Sequence, residues 1–266
     1  MVGSGKSNYE KRPLVAPESP RCPFTIPVSR RPLMDPVQNG PGVPHLLACK
    51  ISHSSQSQSG GPPLATITAL FWDVGGVLLT NAWDHEERQR ALQQFGLDEI
   101  EFERRHEMLV SSFERGKITQ QEYLERTIFY RPRPFSREVF TEYMVSLSRP
   151  DPEALQLAKE LTRSRKYFMA TINNESKELN LFRIQTFGLR EIFSLFVSSC
   201  FVGLRKPEDG IYRLALEITQ KAPEECCFID DRPLNLDSAS KLGIHVIQME
   251  NAGQLRHELA KLGVAG

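Results

Sequence analysis

The chain has 266 residues, 33 basic and 33 acidic side chains, a formal net charge of zero and 40% hydrophobic residues. That length carries a sizeable core in one large or two small domains, and the balanced charge offers no global attraction to nucleic acid or to an anionic membrane. The longest apolar runs, such as Leu70 to Leu79, fall well short of the roughly 20 residues that a membrane-spanning helix needs, so a soluble protein is expected.

Residues 1 to 63 hold eleven of the eighteen prolines, with Ser, Gln and Gly clusters and no sustained periodicity, and are expected to form a disordered arm. Two motif fragments in the arm are set aside. Gly3-Ser4-Gly5-Lys6-Ser7 imitates the tail of a phosphate-binding loop but lacks the leading glycine and a preceding strand pattern. Ser29-Arg30-Arg31-Pro32-Leu33-Met34 imitates a twin-arginine signal, yet Asp35-Pro36 follow where an apolar segment is required. The five cysteines, Cys22, Cys49, Cys200, Cys226 and Cys227, show no paired spacing, which fits reduced thiols in a cytoplasmic protein; Cys226-Cys227 read as buried strand residues.

Leu64 to Val74 is the first expected strand, a short apolar run ending in Asp73 and the Gly75-Gly76 turn. The pattern then becomes helical over Asp84–Phe95, Glu99–Arg115, Thr119–Tyr130 and Ser136–Ser146, with Thr119 and Glu122 placed for a capping box. Pro152 to Arg165 is a further helix, and Tyr167–Ile172 a second strand ending at Asn173-Asn174. Phe193–Val197 is a third strand, followed by a loop bearing Lys206 and a helix over Glu208–Gln220. Cys226–Ile229 is a fourth, ending in Asp230-Asp231, and Ile244–Gln248 a fifth. Strands alternating with helices imply a three-layer α/β fold with a Rossmann-like parallel sheet, whose strand ends share one edge. His85, His106 and Trp83 fall in the helical insert and are read as surface or packing residues.

Four ordered motifs carry a resemblance. They are Leu70–Leu79 with its Asp73, Asn173-Asn174, Gly203-Leu204-Arg205-Lys206-Pro207-Glu208, and Phe228-Ile229-Asp230-Asp231-Arg232-Pro233-Leu234-Asn235. A lone strand-end Asp is commonly a cap or turn residue, and a lysine before proline commonly lies on a surface. Together, at successive sheet edges, they point to a phosphate and metal site. The pattern resembles the haloacid dehalogenase-like (HAD) hydrolase superfamily over roughly residues 64 to 250. The D-x-G-x-V form of the first motif is similar to the glucose-1-phosphatase-like branch.

The resemblance implies an HAD core over 64–82 and 150–266, with a small α-helical cap over 83–149. It implies a Mg²⁺-dependent phosphatase of small phosphorylated metabolites, with Asp73 as nucleophile and Lys206 pairing with it and with the phosphate. Asn173 and Asn174 would bind phosphate, with Thr171 as an alternative donor. Asp73, the Gly75 carbonyl, Asp230 and Asp231 would hold the metal, and Asn235 and Asp237 would support them. Two departures stand out. Gly75 replaces the second aspartate that usually serves as general acid and base, and Asn173 replaces the usual Ser or Thr. The alternatives left open are a catalytically impaired HAD-fold binding protein and a 2-haloacid dehalogenase, which shares the fold without a metal.

Overall fold

The computed structural model describes residues 66–266. The readings placed on the arm, including Gly3–Ser7 and Ser29–Met34, lie outside the described residues. Five strands, β1 (Ala69–Trp72), β2 (Phe168–Asn173), β3 (Leu195–Ser198), β4 (Cys226–Asp230) and β5 (His245–Gln248), form one sheet in the order β3-β2-β1-β4-β5. Every pairing is parallel. The chain runs outward from β1 through β2 to β3, then crosses back to β4 on the other side of β1. The loops leaving β1 and β4 therefore diverge and open a crevice at the carboxyl edge of the sheet, where ligands of such folds bind.

Four helices, α1 (His85–Gln94), α2 (Glu99–Glu114), α3 (Gln120–Thr127) and α4 (Arg137–Ser146), are inserted between β1 and β2. Their starts are set locally. Asp84, Asp98, Thr119 and Ser136 each accept a hydrogen bond from a first-turn amide, and Thr119 with Glu122 completes the capping box. Then follow α5 (Pro152–Ser164), α6 (Lys177–Thr186), the single turn α7 (Ser199–Val202), α8 (Asp209–Thr219), α9 (Pro233–Ser240) and α10 (Ala252–Lys261). Of these, α6, α7, α9 and α10 carry no expectation from the sequence. No helix among the described residues is long and apolar enough to cross a membrane.

Strand alternation sends successive side chains to opposite faces. Leu70, Trp72, Met169, Cys227 and Ile229 pack with Leu161 of α5 and Leu255 of α10. Ala69, Phe71, Ala170, Cys226 and Phe228 pack with Tyr212 of α8 and Leu236 of α9. Because both faces are covered, β1 is apolar at every position, as a central parallel strand requires. Burying side chains the size of Phe71 or Leu70 stabilises the fold by about 1.5–3 kcal/mol each. The insertion has its own core of Leu92, Phe102, Phe113, Tyr123, Phe140 and Met144, joined by Leu179 from α6.

The chain leaves and re-enters the sheet domain through a short two-stranded crossing. Leu79 bridges Pro150, Thr80 N–H donates to the Arg149 carbonyl at 2.9 Å, and Asp151 N–H donates to the Leu78 carbonyl at 2.9 Å. At its other end the insertion is fastened to the β3–α8 segment. Arg115 Nη1 donates to the Gly203 carbonyl at 2.7 Å, Arg205 pairs with Glu114 at 2.8 Å, and Ser199 Oγ donates to the Glu114 carbonyl at 2.6 Å.

Candidate active site

Asp73 follows β1 and Asp230 ends the neighbouring β4; because Trp72 pairs with Ile229, the two carboxylates stand side by side at the sheet edge. The Lys206 ammonium lies between them, 2.9 Å from Asp73 Oδ1 and 2.5 Å from Asp230 Oδ2. All three are deeply placed, with Asp73 7% exposed, Lys206 2% and Asp230 0%. Lysine is rarely fully buried without a partner, and this one, expected from the sequence to pair with Asp73, is held by two carboxylates. Asn174 fixes the main chain at the same point: its carboxamide donates to the Lys206 carbonyl and accepts from the Lys206 N–H, both at 2.8 Å. Asp230 is braced by Arg232 N–H at 2.8 Å and by Asn235 Nδ2 at 3.0 Å to each oxygen.

Burial is the largest influence on the Asp73 carboxyl and pushes it up to about 7, with Lys206 opposing and Asp230 and Asp231 adding to the rise. For Lys206, burial alone would depress the ammonium, but Asp73 and Asp230 outweigh it and hold the group above the ordinary lysine value. The carboxylates of Asp73, Asp230 and Asp231 offer one oxygen each within 4.8 Å of one another. Asp231 Oδ1 is buried with no hydrogen-bond partner among the described residues, while its Oδ2 accepts from Asn81 Nδ2 at 3.2 Å. A sealed, unpartnered oxygen on one carboxylate of a three-carboxylate cluster is costly unless a cation completes it. Gly76 has φ +73°, and a Cβ there would run into the Asp231 carboxylate, so the turn after Asp73 is shaped to let Asp231 approach. This donor set fits a hard divalent cation that takes oxygen ligands.

Asp73, Gly75, Asn174, Lys206 and Asn235 line one cavity of about 390 Å³ between the sheet edge and the insertion. Asn173 is placed differently. It ends β2 opposite Ser198 of β3, so its carboxamide turns sideways, accepting from Ser198 Oγ at 2.8 Å and donating to Asn180 at 3.0 Å. It does not line the cavity. Thr171 is fully buried within β2 and its hydroxyl has no partner among the described residues, and Asp237 is exposed on α9.

Several cavity residues carry no motif signal. Arg183 of α6 is 2% exposed; it pairs with Glu175 at 3.0 Å, donates to Ser148 Oγ at 3.3 Å and bonds to the Thr80 carbonyl. It thus ties the loop after β2 to both limbs of the crossing. Trp83, His106 and Phe113 supply the opposite wall from the insertion. His106 is buried, not a surface residue: its ring stacks on Phe102 and its Nδ1 lies 2.7 Å from the Tyr123 hydroxyl. Burial, helped by Arg88 and Arg205, pushes its imidazolium down to about 4.

This gives a prediction. The unfolded chain takes up a proton near the ordinary histidine value of 6.5, and the folded chain refuses it down to about 4. Stability should therefore be flat above about pH 6.5 on this account and fall as pH drops toward 4. Denaturant titrations from pH 4 to 8 check it: His106→Gln should lose less stability than wild type over that window, and equal slopes would refute the assignment.

A family model for haloacid dehalogenase-like hydrolases matches residues 67–243. The chain belongs to this family and is a hydrolase. Flavin mononucleotide hydrolase 1 of Arabidopsis thaliana is 29% identical over 160 residues, covering 60% of this chain and 64% of that protein. Bifunctional epoxide hydrolase 2 of Sus scrofa is 26% identical over 216 residues, covering 74% of this chain and 39% of that protein. The match thus spans under two thirds of each relative's length. Among solved structures, a predicted HAD-like hydrolase of Porphyromonas gingivalis superposes with a TM-score of 0.62 at 22% identity, over 76% of this chain and all of that one. An HAD family enzyme of Bacteroides thetaiotaomicron, in complex with magnesium and inorganic phosphate, superposes with a TM-score of 0.57 at 24% identity, over 70% and 96%. These likenesses establish the fold.

Proposed function

We propose that the protein is a Mg²⁺-dependent phosphatase that hydrolyses monoesters of small phosphorylated metabolites through an aspartyl-phosphate on Asp73. The observation that carries this reading is Lys206 held between Asp73 and Asp230, which cluster with Asp231, a carboxylate with one oxygen unpartnered among the described residues. The flavin mononucleotide hydrolase relative and the magnesium–phosphate complex support it.

Asp73, Asp230 and Asp231, with the Gly75 carbonyl, would hold the ion. When bound, it screens the repulsion between an anionic nucleophile and an anionic ester. Asp73 Oδ1 is occupied by Lys206 and by the Val74 N–H at 2.8 Å, which leaves Oδ2 to attack phosphorus. The new O–P bond forms as the ester O–P bond breaks, and the departing oxygen takes a proton from solvent, since Gly75 offers none. Water then attacks the phosphorus, releasing inorganic phosphate and restoring Asp73. Lys206 and the main-chain amides of the Asn174 loop donate to the phosphate oxygens. Asn174 sets the position of Lys206, and Asn173 orders the loop through Ser198 and Asn180. The insertion acts as a cap over the site.

The first test is hydrolysis of p-nitrophenyl phosphate with and without Mg²⁺, because its leaving group needs little protonation. Mg²⁺-dependent turnover is expected. Phosphate binding without turnover would replace this reading by that of a binding protein, for which Gly75 is the motivating feature. Chelator-resistant halide release from 2-haloacids would point to a dehalogenase. Independently, Mg²⁺ at 100 times its Kd should stabilise the wild type by about 2.7 kcal/mol in a thermal melt, and Asp231→Asn should lose most of that gain. An equal shift in both proteins would remove Asp231 from the metal set.

A further inference from the structure

Across the cavity from Asp73, the insertion holds a hydrogen-bond relay whose direction is fixed by burial. The Tyr123 hydroxyl is fully buried and has two partners among the described residues, Trp83 Nε1 at 3.1 Å and His106 Nδ1 at 2.7 Å. An indole N–H can only donate, so the Tyr123 oxygen accepts from Trp83. Its own proton must then go to an acceptor, since a buried hydroxyl proton left unpaired is costly. The only one available is His106 Nδ1. The imidazole is therefore neutral and carries its proton on Nε2. That nitrogen has no hydrogen-bond partner among the described residues and is not among the sealed polar atoms, and the ring belongs to the cavity wall beside Trp83 and Phe113. Stacking on Phe102 and the edge contact with Tyr123 hold the ring in one orientation.

We propose that His106 Nε2–H reads the leaving group of the substrate, selecting phosphate esters that place a hydroxyl or carbonyl oxygen against the Trp83–Phe113 wall. This rests on the phosphatase reading of the site. His106 acts as a hydrogen-bond donor and not as a proton source, so it does not replace the acid missing at Gly75. Tyr123 is a positioning residue, because it acts only by fixing which nitrogen of His106 is protonated. A site built to pair with a substrate oxygen discriminates against analogues lacking it, since the donor then loses that partner.

The test compares phenyl phosphate, whose leaving group has no such oxygen, with glucose 1-phosphate and ribose 5-phosphate. Wild-type turnover of phenyl phosphate tests the phosphatase reading by itself; a wild type inert toward all three esters with Mg²⁺ refutes that reading and takes the proposal with it. Given turnover, the double variant His106→Phe with Tyr123→Phe keeps the aromatic packing and leaves no orphaned hydroxyl, only the Trp83 indole N–H without its acceptor. It should lose about tenfold in kcat/KM on the better hydroxylated ester, chiefly through KM, and change less than about twofold on phenyl phosphate. Equal losses on both ester types, or no loss on either, overturn the proposal. A long-range ¹⁵N–¹H imidazole spectrum supplies a readout apart from activity: His106 should be the Nε2–H tautomer, relaxing to a mixture in Tyr123→Phe. An Nδ1–H tautomer in the wild type overturns the proposal regardless of the kinetics.

Discussion

Asp73→Asn should reduce Mg²⁺-dependent turnover of p-nitrophenyl phosphate by about 10⁴-fold or more, the scale on which removal of a nucleophile acts. The amide keeps the shape and the polar character of the carboxylate but cannot form the acyl phosphate. The fold should survive, because the Lys206 ammonium retains Asp230 at 2.5 Å and the Asp73 carboxyl is already penalised by its burial. An unchanged or slightly raised melting temperature is therefore expected alongside the lost turnover. Residual activity within tenfold of wild type would place the nucleophile elsewhere and refute the aspartyl-phosphate route.

Lys206→Met should be the most destabilising single change at the site. It removes the only cation among the described residues that touches Asp73 and Asp230 and leaves two buried carboxylates side by side without it. Breaking a buried pair by removing one partner costs about 3–5 kcal/mol. For a domain of this size that corresponds to a fall in Tm on the order of 10 °C. Two controls make the cause visible. Adding Asp230→Asn should recover part of the loss, because one uncompensated charge is gone, and the two changes should be strongly non-additive. Mg²⁺ should also stabilise Lys206→Met more than it stabilises wild type, since the ion substitutes for the missing charge. A melting point unchanged from wild type would mean that Lys206 is not held as an ion pair.

The sheet and the three polar strand ends are legible because each signal is local. Asp73, Asn173-Asn174 and Asp230-Asp231 each terminate an apolar run, and parallel connections must bring such ends to one edge. The insertion helices announced themselves through caps, which depend on neighbours three residues apart, as at Thr119 and Glu122. The helices α6, α7, α9 and α10 carry no such expectation. In α9 only eight residues follow Arg232, with Pro233 inside the first turn, and the segment is recognised as a helix mainly by what it packs against.

What the sequence determined by itself is the family, the parallel sheet and which carboxylates and lysine meet. Tertiary structure alone decided which way Asn173 faces, because one step of register on β2 turns its carboxamide toward Ser198 and away from the cavity. It also decided that Arg183 joins the β2 loop to the crossing, and that His106 is part of a cavity wall. Arg183 and His106 lie outside the four motifs, so no spacing marks them. Their surroundings are set by how the insertion docks on the sheet edge, through Glu114, Arg115 and the loop of Arg205, and that docking is a property of two surfaces and not of any local stretch of chain.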